Sequence, residues 1–89
     1  MDGRVKRVIL AKIDESLSSS DELSILRTSL ATEMKCPWDF ATGLVIGRIY
    51  NSFHYQTRRI LKRNATPEEF REFVELLTSE MARIEKSSK

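Results

Sequence analysis

The chain is poor in residues that interrupt or staple a backbone: its 89 residues include one cysteine, two prolines and three glycines. With Cys36 alone there is no internal disulfide, and a reducing, cytoplasmic location is expected. Scarce glycine and proline, together with the absence of period-two apolar alternation, argue against strands and tight hairpins. His54 is the only histidine, and Cys36, Asp39 and the glutamates stand at no ligand spacing around it, so no metal site is expected. There is no glycine-rich phosphate loop and no identifiable partner base for Cys36, so no cofactor and no catalytic residue is assigned. Long hydrophobic runs are missing as well. The longest, residues 40–46, is interrupted by Gly43 and followed by Arg48, well short of the roughly 20 residues that span a bilayer. The N-terminal segment reaches Asp14 and Glu15 without a continuous apolar stretch, so neither a secretory signal nor a membrane partner is expected.

What remains is the composition of a folded helical domain. An apolar share of 40% beside 31% charged residues suits one globular unit over residues 1–89, with a core that is used efficiently or shared with a second copy. Val5, Ile9, Ile13 and Leu17 recur at i+4 and describe a helix over 3–18 that ends in the run Ser18, Ser19 and Ser20. Ser19 stands three residues before Glu22 in a capping-box arrangement, which starts a helix over 20–35 with Leu23, Leu26, Leu30 and Met34 on one face. Pro37 opens a long helix over 37–63, its apolar face traced through Ile46, Ile49, Tyr50, Phe53, Ile60 and Leu61 with Thr57 in line. Thr66, Pro67 and Glu69 form a capping box that starts a fourth helix over 67–86. Phe70, Phe73, Val74, Leu77, Met81 and Ile84 are its expected buried stripe, with Glu68–Arg71 and Glu80–Arg83 as surface pairs and residues 86–89 frayed. Thr66 also completes an Asn64-Ala65-Thr66 sequon, but its capping role and the expected compartment argue against glycosylation. The fold class is therefore all-α, a small four-helix domain with one long central helix.

That long helix is the element to which functional expectations attach. At about 1.5 Å per residue it is roughly 40 Å long, against about 30 Å for a compact globule of this size. It must bend near Gly43 and Gly47, lie in an elongated bundle, or be covered by a second copy, and completion as a homodimeric bundle is the favoured outcome. Gly43, Gly47 and Asn51 form a row of small residues along it. The commoner use of such a row is close packing by an internal helix; the functional use is a self-association seam.

Charge is distributed unevenly although the net value is only +2. Arg4, Lys6, Arg7 and Lys12 stand near the N-terminus, and residues 48–63 carry Arg48, Arg58, Arg59, Lys62 and Arg63 with no acid, leaving the remainder net acidic. Arg48, Ser52, Tyr55, Arg59 and Lys62 share one side of the long helix, opposite Ile49 and Phe53. These cations and the tyrosine, with Arg58 and Arg63 nearby, could neutralise phosphates and stack on a base, making DNA or RNA the alternative partner. The plainer use is pairing with acidic faces and with the helix C-terminus. His54, at the edge of the apolar face, is expected to be structural, and Trp38 and Phe40, flanking Asp39, to pack as a lid on the core. The function expected is a non-enzymatic protein-interaction or scaffold module that self-associates through the long helix. A nucleic-acid-binding protein is the alternative, and an enzyme would require Cys36, Asp39 and His54 to converge.

Overall fold

The computed structural model describes residues 1–18 and 20–87, the side chains of residues 20 and 87 excepted. Among the described residues there are four α-helices and no strand: α1 Gly3–Leu17, α2 Ser20–Leu30, α3 Pro37–Leu61 and α4 Pro67–Ser87. None is long and apolar enough to cross a membrane.

Each helix starts and stops for a local reason. Asp2 caps α1, its carboxylate accepting from the N–H groups of Arg4 at 2.8 Å and Val5 at 3.3 Å. The Ser19 cap expected for α2 lies outside the described residues, as do Ser88 and Lys89 of the expected frayed end. α2 stops at Leu30, short of the expected residue 35, and the chain continues as a 3-10 turn over Ala31–Glu33. Beyond that turn Met34 is extended, and Cys36, before Pro37, is held at φ −129° and ψ 78°, outside the helical region. α3 also ends two residues early. Lys62 turns left-handed at φ 59°, and its N–H donates to the Arg58 carbonyl at 3.0 Å. At the start of α4 the capping box forms in both directions: Glu69 N–H donates to Thr66 Oγ1 at 3.1 Å, and the Glu69 carboxylate accepts from Thr66 N–H at 2.9 Å.

α3 is the hub. Ala41, Val45, Ile49, Phe53 and Thr57, each four residues after the last, are its buried row. Against it lie Val5, Ile9 and Ile13 of α1, Leu23 of α2, and Phe73 and Ile84 of α4. Phe53 and Phe73 stack at 4.3 Å between centroids and 8° between planes, which joins α3 to α4 as an antiparallel hairpin. α1 runs in the same direction as α4: the Met1 amine meets Glu72 at one end, and Asp14 meets Arg83 at 2.6 Å at the other. The Glu80–Arg83 pair forms at 2.7 Å, whereas Glu68 and Arg71 make no ion pair with each other among the described residues.

The bundle measures 42 × 21 × 21 Å. The 25 residues of α3 rise about 37 Å and run its whole length without interruption. The bundle is elongated enough to house this helix, so its length by itself does not require a second copy.

Among the described residues two polar side chains are buried at the core: Thr57 returns its hydroxyl to the Phe53 carbonyl at 2.7 Å, while Ser16 finds no hydrogen-bond partner there for its own. Ser16→Ala removes an orphan donor and improves helix propensity, and is expected to raise the unfolding free energy by about 1–2 kcal/mol. Urea denaturation measures it, and an unchanged midpoint would mean that the hydroxyl is satisfied in solution.

Candidate functional site

α3 presents two surfaces that the bundle leaves open. The first follows the glycines. Gly43 is exposed and Gly47 half-buried, and a Cβ built on either meets nothing within 4 Å. Among the described residues no helix packs closely against them, which sets aside the commoner explanation of the row. Asn51, expected to continue the row, is exposed and lines a basin on the neighbouring side of α3.

Beside the glycines lies an aromatic cluster that the sequence had assigned to the core. Tyr50 is 44% exposed, Phe70 39% and Val74 42%. The reason is geometric. The i+4 row of α3 is covered by α1, α2 and the inner side of α4, and Tyr50 falls one residue, about 100° of rotation, off that row. Phe70 and Val74 sit on the outer side of the Phe73 stripe in the same way. His54 is half-buried between these groups: its ring meets Tyr50 edge-on at 4.8 Å, Phe53 at 5.1 Å, and stacks on Phe70 at 6.0 Å and 15°. Its ring is held by these contacts. Trp38 is not part of a core lid: it is 46% exposed, with the Arg27 guanidinium of α2 lying 3.7 Å over its ring. Asp39 is exposed and Phe40 half-buried.

The second surface is the basic one. Arg48, Asn51, Ser52, Tyr55 and Gln56 of α3 line an open basin of about 420 Å³ together with Lys12 of α1. Of the residues expected to face nucleic acid, the structure thus gathers Arg48 and Tyr55, adding Lys12 from a neighbouring helix. Arg59 is tied to the rim through Gln56, to which its Nε donates at 2.8 Å. The others diverge. Arg58 lies one turn beyond His54 on the glycine side, and Lys62 has left the helix. Arg63 is committed to α4, donating to both Glu69 carboxylate oxygens at 2.7 and 3.1 Å. Among the described residues Arg48, Arg58, Arg59 and Lys62 have no ion-pair partner, so pairing with acidic faces accounts for Arg63 alone. Lys6, near the N-terminus, instead borders a cavity of about 320 Å³ beside Glu72 and Glu75, on the acidic side of the bundle.

Chemistry finds little purchase. Cys36 and Asp39 lie at the start of α3, and at about 1.5 Å per residue His54 is roughly 22 Å further along it than Asp39. The three do not converge within one chain, and no group of three metal-ligating side chains occurs among the described residues. Comparison with known proteins finds no matching family model, no matching curated protein and no matching solved structure.

The Arg63–Glu69 pair makes a prediction of its own. Hydrogen bonding from Arg63, then from Thr66 N–H, holds the Glu69 carboxyl down at about 2, against an ordinary 4.5. A carboxyl depressed on folding contributes stability that is complete above its ordinary value and lost as the pH falls through the folded one. Glu69→Gln keeps an oxygen for Thr66 N–H but loses the charge-assisted pair with Arg63, and is therefore expected to cost about 1 kcal/mol at pH 7 and to weaken the fall in stability between about pH 5 and pH 2. Thermal melts across that range provide the check, and an unaltered acid limb would contradict it.

Proposed function

We propose that the chain is a non-enzymatic interaction module that self-associates through α3 and serves as a scaffold subunit. One observation carries this reading: Tyr50, Phe70 and Val74 are open to solvent around the half-buried ring of His54, on the side of α3 that also carries Gly43 and Gly47. Scattered exposed apolar residues are ordinary on a soluble protein, whereas a contiguous group of aromatic side chains marks an interaction surface. Burial in a partner returns about 25 cal/mol for each Å² of apolar surface removed from water. The glycines support the same reading, since each costs a helix about 1 kcal/mol relative to alanine and no packing within the chain requires either. Sedimentation velocity over a wide concentration range is expected to show a reversible shift from monomer to dimer. The shift should be abolished by Tyr50→Glu combined with Phe70→Glu, with helicity retained. A monomer mass at every concentration would refute the reading.

The basin favours a second reading, a small nucleic-acid-binding protein. Lys12, Arg48 and Tyr55 converge there, with Arg59 at the rim, and two cations beside an exposed aromatic ring suit a phosphate and a stacked base. Binding to single-stranded DNA or RNA, followed by fluorescence anisotropy, is then expected to weaken steeply with salt and to fall at least about tenfold in Arg48→Glu with Arg59→Glu. Equal affinity for the variant and the parent would exclude this surface.

A further inference from the structure

The open strip of α3 is complementary to itself. Asp39, Gly43, Gly47, Tyr50, His54 and Arg58 lie within a band about 100° wide at 3.6 residues per turn. The order is acid, two glycines, two aromatic rings, base. Reversing the strip therefore sets every member opposite its complement. With a two-fold axis between Gly47 and Tyr50, Gly47 faces the partner's Tyr50, Gly43 faces the partner's His54, and Asp39 faces the partner's Arg58.

We infer that a second copy of this chain docks here, α3 antiparallel to α3, in that register. The inference rests on the self-association reading above and deepens it by naming the geometry. Size and charge both select the occupant. A ring opposite a glycine fills the space left by the absent Cβ, and a Cβ at Gly43 or Gly47 has no neighbour within 4 Å in the chain itself. Asp39 and Arg58 are exposed, and among the described residues neither has an ion-pair partner. A slip of one turn either way breaks the match: in one direction Arg58 passes beyond the start of the partner's α3 at Pro37 and loses Asp39, in the other Tyr50 meets the partner's Asn51. An isologous contact of this kind closes on itself and produces a dimer, not a filament.

The seam is about 29 Å long from Asp39 to Arg58 and one helix wide, about 10 Å. A stable dimer buries about 800 Å² on each partner, roughly one-seventh of the 5808 Å² surface of this chain. A single helix falls short of that, and Phe70 and Val74 on α4, next to His54 and Tyr50, supply the adjoining surface.

Charge reversal tests the register. Asp39→Arg and Arg58→Asp, each alone, place like charges opposite each other at both ends of the seam and are expected to raise the dimer dissociation constant at least tenfold in sedimentation velocity. Mixing the two variants creates a heterodimer in which both ends are again opposite in sign, and association is expected to recover to within about threefold of the parent. Circular dichroism of each variant verifies that it is folded. A second measurement needs no substitution. Cys36 is exposed and accepts a spin label, and antiparallel docking about this axis places two such labels about 38 Å apart along α3. Parallel docking would bring them to about 10 Å, the separation of packed helices. A dimer whose variants fail to rescue each other, or whose labels lie close together, overturns the register and leaves self-association standing. A monomer at every concentration overturns both.

Discussion

The structure depends on the i+4 row of α3. Ala41, Val45, Ile49, Phe53 and Thr57 are all buried, and that single row determines where α1 lies and how α4 folds back. Rows spaced at four residues precess around a helix by about 40° per turn. The buried side therefore winds across α3, and what it leaves behind is two open surfaces instead of one outer face. The aromatic strip and the basic basin are products of the same packing decision.

Their separation has an electrostatic side. The acids of the fourth helix are drawn toward the N-terminal end of α1, where the Met1 amine meets Glu72, and toward Arg83 and Arg63. That leaves the cations of α3 between residues 48 and 62 without ion-pair partners among the described residues. Exposed ion pairs contribute little to stability, but they decide which charges remain available to a ligand. Arg63 is taken out of contention by its bidentate grip on Glu69; Arg48 is not.

The helices were legible because local chemistry specifies them. Pro37, and Thr66 with Pro67 and Glu69, can hardly begin anything else, and the i+4 series in α1 identifies its own inner side. Asp2 is equally readable as a cap, an aspartate three residues before the first periodic position, Val5. The limits of the core were not legible. Tyr50, Phe70 and Val74 continue apolar stripes that a wheel cannot divide into covered and uncovered parts, because that division depends on how many neighbours the helix has. Periodicity reports which side is apolar, whereas only tertiary packing reports how much of it is paid for by burial. Lys12 belongs to the same class: nothing local connects it with Arg48, and the two meet only because α1 runs antiparallel to α3. Lys62 was misplaced for another reason, since a lysine in the left-handed region carries no sequence signal comparable with a glycine.

The contact between Arg27 and Trp38 has a use beyond holding α2 in place. Trp38 is the only tryptophan of the chain, and it sits outside the core beneath a cation that belongs to another helix. Its emission is consequently an optical reporter of a local event, the seating of α2 on the start of α3, while far-ultraviolet dichroism follows the helices together. In this protein the two signals part company whenever the second helix detaches before the remaining three, so that the order of disassembly can be read with no label at all.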